Sequence, residues 1–265
     1  MADDMTGSGF AVVTGASSGI GLELARELAR RRYDVLLTAD DDQELVGAEA
    51  SVRAEGVTAT SVAADLTRPE GIETLVGAVE AYGRGVDVLA LNAGIANAGP
   101  FLETPLEGDL GVIALNVVAP VALAKRLLPA MVARGSGRVL VTSSVAAGSP
   151  GPWYATYAAS KAFDLSFAEA IAYELKDTGV TVTALLPGPT DTEFFERGNM
   201  ESTRVAQGPK DEPEKVAREA VDALLAGKTK HEVMSLKARM QTASAAVLPD
   251  KAAAAMHGKQ TEPQE

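Results

Sequence analysis

The chain has no cysteine in 265 residues. That excludes disulfides, Cys-ligated zinc, iron–sulfur clusters and a thiol nucleophile. Histidine is nearly absent too: His231 and His257 are the two present, too few for a His-rich metal site and poorly placed for a Ser-His-Asp triad, so no metal is expected. Positive charge is the minority sign, with 24 Lys and Arg against 36 Asp and Glu and a net charge of -12. Nucleic acid and anionic membranes select basic surfaces, so neither is an expected partner. No uninterrupted run approaches the roughly 18 apolar residues of a membrane span. The polar, acidic start from Met1 to Gly9 does not resemble a signal peptide, and the expectation is a soluble, cytoplasmic protein. What is present is globular composition, with 46% hydrophobic and 23% charged residues. A chain of this length buries enough apolar surface to fold without a covalent or metal staple.

Apolar, β-branched runs alternate with helical stretches. Phe10–Thr14, Val35–Thr38, Val57–Ala63, Val86–Leu91, Arg138–Thr142 and Val180–Leu186 read as strands. Gly19–Arg31, Glu44–Glu55, Pro69–Tyr82, Leu106–Arg134 and Trp153–Thr178 read as helices, with Pro120 predicting a kink or break near residues 116 to 120. Six strand–helix alternations predict an α/β fold: a single-domain, Rossmann-like, doubly wound parallel sheet with helices on both faces. The domain is expected over residues 9–257, after a flexible start at 1–8. It includes a substrate flap at about 190–212 and a helical C-terminal segment at about 228–257, with short helices at Ser235–Val247 and Asp250–Met256. Glu214–Leu225 is a further helix, and a polar, disordered tail is expected at 258–265.

The first strand feeds Thr14-Gly15-Ala16-Ser17-Ser18-Gly19-Ile20-Gly21. A glycine-rich turn opening onto a helix N-terminus presents backbone N–H groups to a phosphate. A Walker A loop requires Gly-Lys-Ser/Thr, and Ile20 follows Gly19 instead. Gly15 to Gly19 also fits a nucleophile elbow centred on Ser17, but no chain upstream supplies an oxyanion loop and the base would have to be His231 or His257.

Taken jointly, these residues resemble the classical short-chain dehydrogenase/reductase (SDR) family over about residues 9 to 226. Gly15, Ser17, Ser18, Gly19, Ile20 and Gly21 resemble its cofactor turn. Asp65, followed by Leu66, is similar to its adenine contact. Asp87 and Asn92-Ala93-Gly94 resemble its fourth-strand signature, with Leu91 where a second Asn is usual. Asn116, Ser144, Tyr157 and Lys161 match its catalytic residues in order and spacing, and Pro187, Gly188, Thr190 and Thr192 match the segment beside the nicotinamide. The resemblance implies an NAD- or NADP-dependent oxidoreductase. Its substrate would be a small-molecule carbonyl or alcohol, and the enzyme a homodimer or homotetramer built through the two long helices.

Tyr157 and Lys161 lie four apart on a helix and share a face. A tyrosine titrates near 10, and bringing it to about 7 takes roughly 4 kcal/mol of differential stabilisation, a good part of which a close ammonium supplies. The resemblance further implies that Lys161 bonds the nicotinamide ribose. Ser143 and Ser144 end a strand and face opposite ways, and alternation alone does not choose between them; the family spacing selects Ser144 to hold the substrate oxygen. Asn116 interrupts an apolar run and has to be hydrogen-bonded, either to backbone freed near Pro120 or, as the family implies, to a relay water. Trp153, Tyr154 and Phe194 are candidate pocket walls or ordinary packing.

Cofactor choice falls at the end of the second strand, Thr38-Ala39-Asp40-Asp41-Asp42. The family's NAD-type acid is expected at Ala39 and is absent, while Asp40 stands where NADP-type members carry Arg; a carboxylate repels a 2′-phosphate while accepting from ribose hydroxyls, so the pattern leans to NAD. The same acids also suit a helix start. Two rival classes remain: a non-catalytic, dinucleotide-binding redox sensor, which needs the glycine turn but not Tyr157, Lys161 and Ser144 together, and a methyltransferase on a similar sheet, in which the Tyr–Lys pair has no role.

Overall fold

Period-two alternation decides where each strand faces. In β1 (Gly9–Thr14) Phe10 and Val12 enter one core cluster and Ala11 and Val13 the other, so the strand is buried on both sides. The computed structural model describes residues 9–233 and 250–262. Around β1 stand β2 (Tyr33–Ala39), β3 (Ala59–Ala63), β4 (Val88–Leu91), β5 (Gly137–Thr142), β6 (Val180–Pro187) and β7 (Lys230–Val233). All pairings are parallel, in the order β3-β2-β1-β4-β5-β6-β7. The doubly wound sheet is as expected, with a seventh strand added to the six the pattern gives. Lys230-His231-Glu232-Val233 has one apolar residue and no alternation to announce it. It pairs at the sheet edge against β6, where polar, short strands are the norm.

Helices cover both faces. On one, α1 (Gly19–Arg30), α2 (Asp42–Arg53) and α9 (Pro213–Leu225) bury Leu24, Leu28, Leu45, Val52, Val216 and Leu224. On the other, α3 (Pro69–Tyr82), α5 (Ala119–Arg134) and α6 (Ala155–Glu174) bury Leu75, Val79, Leu123, Met131 and Ala168. Full burial of each Leu or Val contributes about 1.5–3 kcal/mol.

The expected break near Pro120 is a change of helix type. Between α4 (Leu106–Ile113) and α5, residues Ala114–Val118 form one π-helical turn. Pro120 has no N–H to return to the carbonyl four residues earlier, and a widened turn absorbs the loss. Taken as one helical run, Leu106–Arg134 is 29 residues long and apolar enough to cross a membrane, contrary to the expectation from uninterrupted apolar residues alone. Here Leu123, Leu127 and Met131 of that run pack into the sheet core.

α6 is shorter than expected at its start, because Trp153 has φ +70 and Tyr154 is not helical. The flap contains two short helices, α7 (Phe194–Arg197) and α8 (Arg204–Gln207). α10 (Asp250–Thr261) runs past Met256 and takes in Gly258 to Thr261, where a disordered tail was expected. The cause is tertiary contact: Thr261 Oγ1 donates to the Pro152 carbonyl at 2.9 Å, and His257 bonds Ser149. The expected helix at Ser235–Val247, the start at 1–8 and residues 263–265 lie outside the described residues. The strand order reverses between β1 and β4, and there the sheet opens a crevice at its carboxyl end.

Candidate active site

Thr14 is the knot that shapes the crevice. Its buried Oγ1 accepts from the backbone N–H groups of Asn92 and Ala93 at 2.9 and 3.0 Å, fastening the end of β4 to the end of β1. Asn92 then donates from Nδ2 to the Thr14 carbonyl at 3.1 Å and accepts from Thr142 Oγ1 at 3.1 Å. Three strand ends are thereby locked at one height.

The glycine turn follows. A Cβ on Gly21 would lie 1.9 Å from the Gly15 carbonyl oxygen, so only glycine lets α1 begin this close to the turn. Ser18, the N-cap of α1, makes no side-chain capping bond, which leaves the first N–H groups of the helix free to serve an anion.

One cavity of about 710 Å³ runs along this edge, within the range of small-molecule and cofactor sites. Gly15, Ser17, Ser18, Gly19, Ile20, Gly21, Asp40, Asp65, Leu66, Asn92, Ala93, Gly94, Ser144, Tyr157, Lys161, Pro187, Gly188, Thr190 and Thr192 all border it. Thr190 Oγ1 donates to the Gly188 carbonyl at 2.9 Å, and the Thr192 methyl packs against Gly19, so the flap's first residues sit on the glycine turn. Asp65 accepts from the N–H and Oγ1 of Thr67 and from Arg68, which holds its carboxyl below the usual range. Asp87 does not border the cavity and accepts from the Phe10 N–H at 2.8 Å, and Leu91 is core. Asp41 caps α2 through the N–H groups of Gln43 and Glu44, so the helix-start reading holds for that acid.

At the other end Tyr157 and Lys161 are both buried on one face of α6. Lys161 Nζ donates to the Thr142 carbonyl at 2.8 Å and to Asp164 Oδ2 at 3.0 Å, and lies 6.0 Å from the Tyr157 ring centroid. Ser144 hydrogen-bonds Tyr157 and accepts from the Ala146 N–H at 3.1 Å. Ser143 turns inward and donates to the Lys161 carbonyl at 2.6 Å. Both serines lie just past β5 and border the cavity, but the Ser143 hydroxyl is committed to the α6 backbone while Ser144 stands beside Tyr157. The Tyr157 hydroxyl is pushed up from its ordinary value, not down: burial outweighs the lowering by Lys161 and Ser144.

Asn116 does not border the main cavity. Its amide pairs with both the N–H and the carbonyl of Ile95, each at 3.0 Å, and donates to Ser160 at 2.9 Å. It satisfies the loop after β4, not backbone freed by Pro120. Gly94 separates it from the cavity, and a Cβ there would come within 3.2 Å of Lys161 Nζ and 3.3 Å of Asn116 Oδ1. Asn116 and Lys161 therefore stand on either side of one bare backbone.

Tyr154 and Phe194 are walls, with ring centroids 5.7 and 5.2 Å from that of Tyr157. Trp153 is not; its carbonyl accepts from the Gly99 N–H at 2.6 Å. Sequence reasoning missed His257 and Gln260, which reach the cavity from α10. His257 bonds Ser149 at 2.7 Å through Nδ1 and Tyr154 through Nε2, and burial lowers its pKa. No local signal marks a residue 108 positions from its partner. With His257 engaged there and His231 beside Glu219, neither histidine serves Ser17, and the hydrolase reading has no base. Arg197 of the flap bonds Glu44 at 2.8 Å and Glu193 at 2.7 Å, joining the flap to α2.

The donor set fits a dinucleotide: an uncapped helix N-terminus behind a turn that a Cβ would fill, acids at the end of β2, and a buried ammonium at the far end. A family model described as short chain dehydrogenase matches residues 9–202. A short chain dehydrogenase of Pseudocercospora fijiensis is 38% identical over 186 residues, 69% of this chain and 60% of that protein; the match thus spans less than two thirds of that relative's length. A short-chain dehydrogenase from Sphingobium yanoikuyae, solved in complex with NADPH, is 29% identical, covers 97% of this chain and 98% of its own, and has a TM-score of 0.80. An actinorhodin polyketide ketoreductase variant, solved with NADPH, is 33% identical over 85% of this chain and 95% of its own, with a TM-score of 0.76.

Proposed function

The chain belongs to the short-chain dehydrogenase family, and from that premise we propose that it transfers a hydride reversibly between a nicotinamide dinucleotide and a secondary alcohol, ketone or aldehyde. The observation that carries this reading is convergence: Tyr157, Lys161 and Ser144 border the same cavity that the glycine turn opens.

The nicotinamide, when bound, supplies the hydride acceptor or donor. The chain's own residues do the rest. Ser144 holds the substrate oxygen by a hydrogen bond. Tyr157 takes the hydroxyl proton during oxidation and returns it during reduction, as general acid/base. Lys161 counters the cost of a buried phenolate, and Thr142 and Asn92 keep its strand-end support in place. Because burial raises Tyr157 in the free protein, the positive charge of an oxidised cofactor is needed to bring it toward neutrality. Phe194, Phe195, Met200 and Val205 line the substrate end, which suits a bulky apolar carbonyl compound.

For the cofactor, Asp40, Asp41 and Glu44 border the cavity at the end of β2, and the flap cation there, Arg197, is committed to Glu44 and Glu193. A 2′-phosphate would meet carboxylates, so NAD is the proposed cofactor. Steady-state kinetics on ketones and secondary alcohols with each cofactor test both points: kcat/KM is expected to be about tenfold or more higher with NAD, as like-charge exclusion of the phosphate requires. A preference for NADP would overturn the cofactor assignment.

Leu106, Leu110, Ile113, Val118 and Phe163 are exposed along α4, the π turn and α6. A shared apolar face on the long helices supports a homodimer or homotetramer. Light scattering is expected to return at least twice the 27.4 kDa chain mass; a monomer would contradict this.

A further inference from the structure

Asp164 lies one turn beyond Lys161 on α6 and has no part in the chemistry above. Its side chain is buried, and Oδ2 accepts from Lys161 Nζ at 3.0 Å. Its Oδ1 has no hydrogen-bond partner among the described residues. A small internal cavity beside it is bordered by Thr14, Asn116 and Thr142 and otherwise mostly by apolar side chains. Lys161 is its one ion-pair partner among the described residues. Packing alone does not require a carboxylate here, since an apolar residue of similar volume avoids the cost of burying the charge.

We propose that Asp164 is a positioning residue of the active site: it grips the Lys161 ammonium from the protein interior and tempers the charge that Lys161 presents to Tyr157. An ammonium has three N–H donors. Asp164 and the Thr142 carbonyl hold two of them, leaving one for the main cavity. This rests on the reading of Tyr157 as general acid/base.

The charges acting on Tyr157 both come from α6: Lys161 lowers its pKa and Asp164 raises it. Ser144 at the end of β5 hydrogen-bonds it, Tyr154 and Phe194 face its ring, and His257 stands one step further, behind Tyr154. Among the described residues Lys161 meets only neutral groups from other elements, the Thr142 carbonyl and the Gly94–Asn116 wall. Removing the carboxylate leaves the ammonium uncompensated, favours the phenolate and lowers the tyrosine pKa. Alcohol oxidation needs the phenolate, so the rising limb of its pH profile moves to lower pH.

The test is kcat/KM for alcohol oxidation against pH for wild type, Asp164→Asn, Asp164→Val and the charge-keeping Asp164→Glu. Both neutral variants are expected to shift the limb down by about one pH unit, a size ordinary for one nearby charge, while Asp164→Glu stays near wild type. A neutral variant that folds and keeps the wild-type limb overturns the proposal. So does failure of both neutral variants to fold while Asp164→Glu folds, which would make the carboxylate structural. Tyr157→Phe separates the two levels. If it retains the limb, the acid/base reading itself is wrong. If it abolishes the limb while the Asp164 variants leave it unmoved, only the role of Asp164 fails.

Discussion

Tyr157→Phe is expected to lose about 10³-fold in kcat, the middle of the range for a positioned acid/base, while its dinucleotide affinity stays within about twofold. The substitution removes one oxygen and little else. The ring keeps its contacts with Tyr154 and Phe194, and the residue is already 8% exposed, so no new apolar surface meets water. The glycine turn, the Thr14 knot and Lys161 are untouched, which is why binding survives. Steady-state kinetics beside a fluorescence titration with the reduced cofactor measure both quantities. Loss of affinity in step with turnover would mean that Tyr157 is a binding residue, and retained turnover would remove it from the chemistry.

The second large effect is at the opposite end of the cavity. Gly21→Ala places a methyl 1.9 Å from the Gly15 carbonyl and 2.6 Å from Asn92 Nδ2. Neither is a flexible chain end: one is backbone and the other is bonded to Thr14. Overpacking of this kind costs about 2–3 kcal/mol, or roughly 5–10 °C in Tm for a chain of this size. The start of α1 must move away from the turn, so dinucleotide affinity is expected to fall by more than about tenfold, the factor that 1.4 kcal/mol represents. Gly47→Ala and Gly77→Ala are the controls. Both lie inside helices with nothing within 4 Å of the added methyl, and each is expected to raise stability by about 0.5–1 kcal/mol. Thermal melts and cofactor titration of the three variants read this out. Equal effects at the three glycines would contradict the close-approach argument.

What the sequence made legible is what depends on local spacing. The glycine turn between β1 and α1 and the Tyr157–Lys161 pair on one helical face need only a strand, a helix and their periods; that Ser143 and Ser144 face different ways follows from the same rule, but which of them serves the site came from the family spacing. Asp164 belongs to the same class: it is three residues from Lys161 on the same helix and was readable by the same rule. What stayed hidden depends on contacts between distant segments. Asn116 bonds Ile95 of the loop after β4, and His257 reaches Ser149 and Tyr154 from the last helix. β7 is a strand because β6 offers it an edge, not because its four residues favour one. The balance of effects on the tyrosine pKa divides in the same way. A nearby ammonium is visible in the sequence, but the burial that outweighs it is a property of the packed site. Charge shows the same division: Asp41 serves its helix, while Asp40 and Glu44 border the cavity.

The central claim is hydride transfer to carbon. The most direct measurement is reduction of a panel of apolar ketones and aldehydes with NADH deuterated at the transferable position, followed by mass spectrometry of the product alcohol. The account predicts one deuterium on the carbinol carbon for each oxidised cofactor formed, with the reaction slowed about 10³-fold in Tyr157→Phe. A chain that binds the dinucleotide through its intact glycine turn, yet moves no deuterium to any member of the panel, would contradict it and favour a non-catalytic redox sensor.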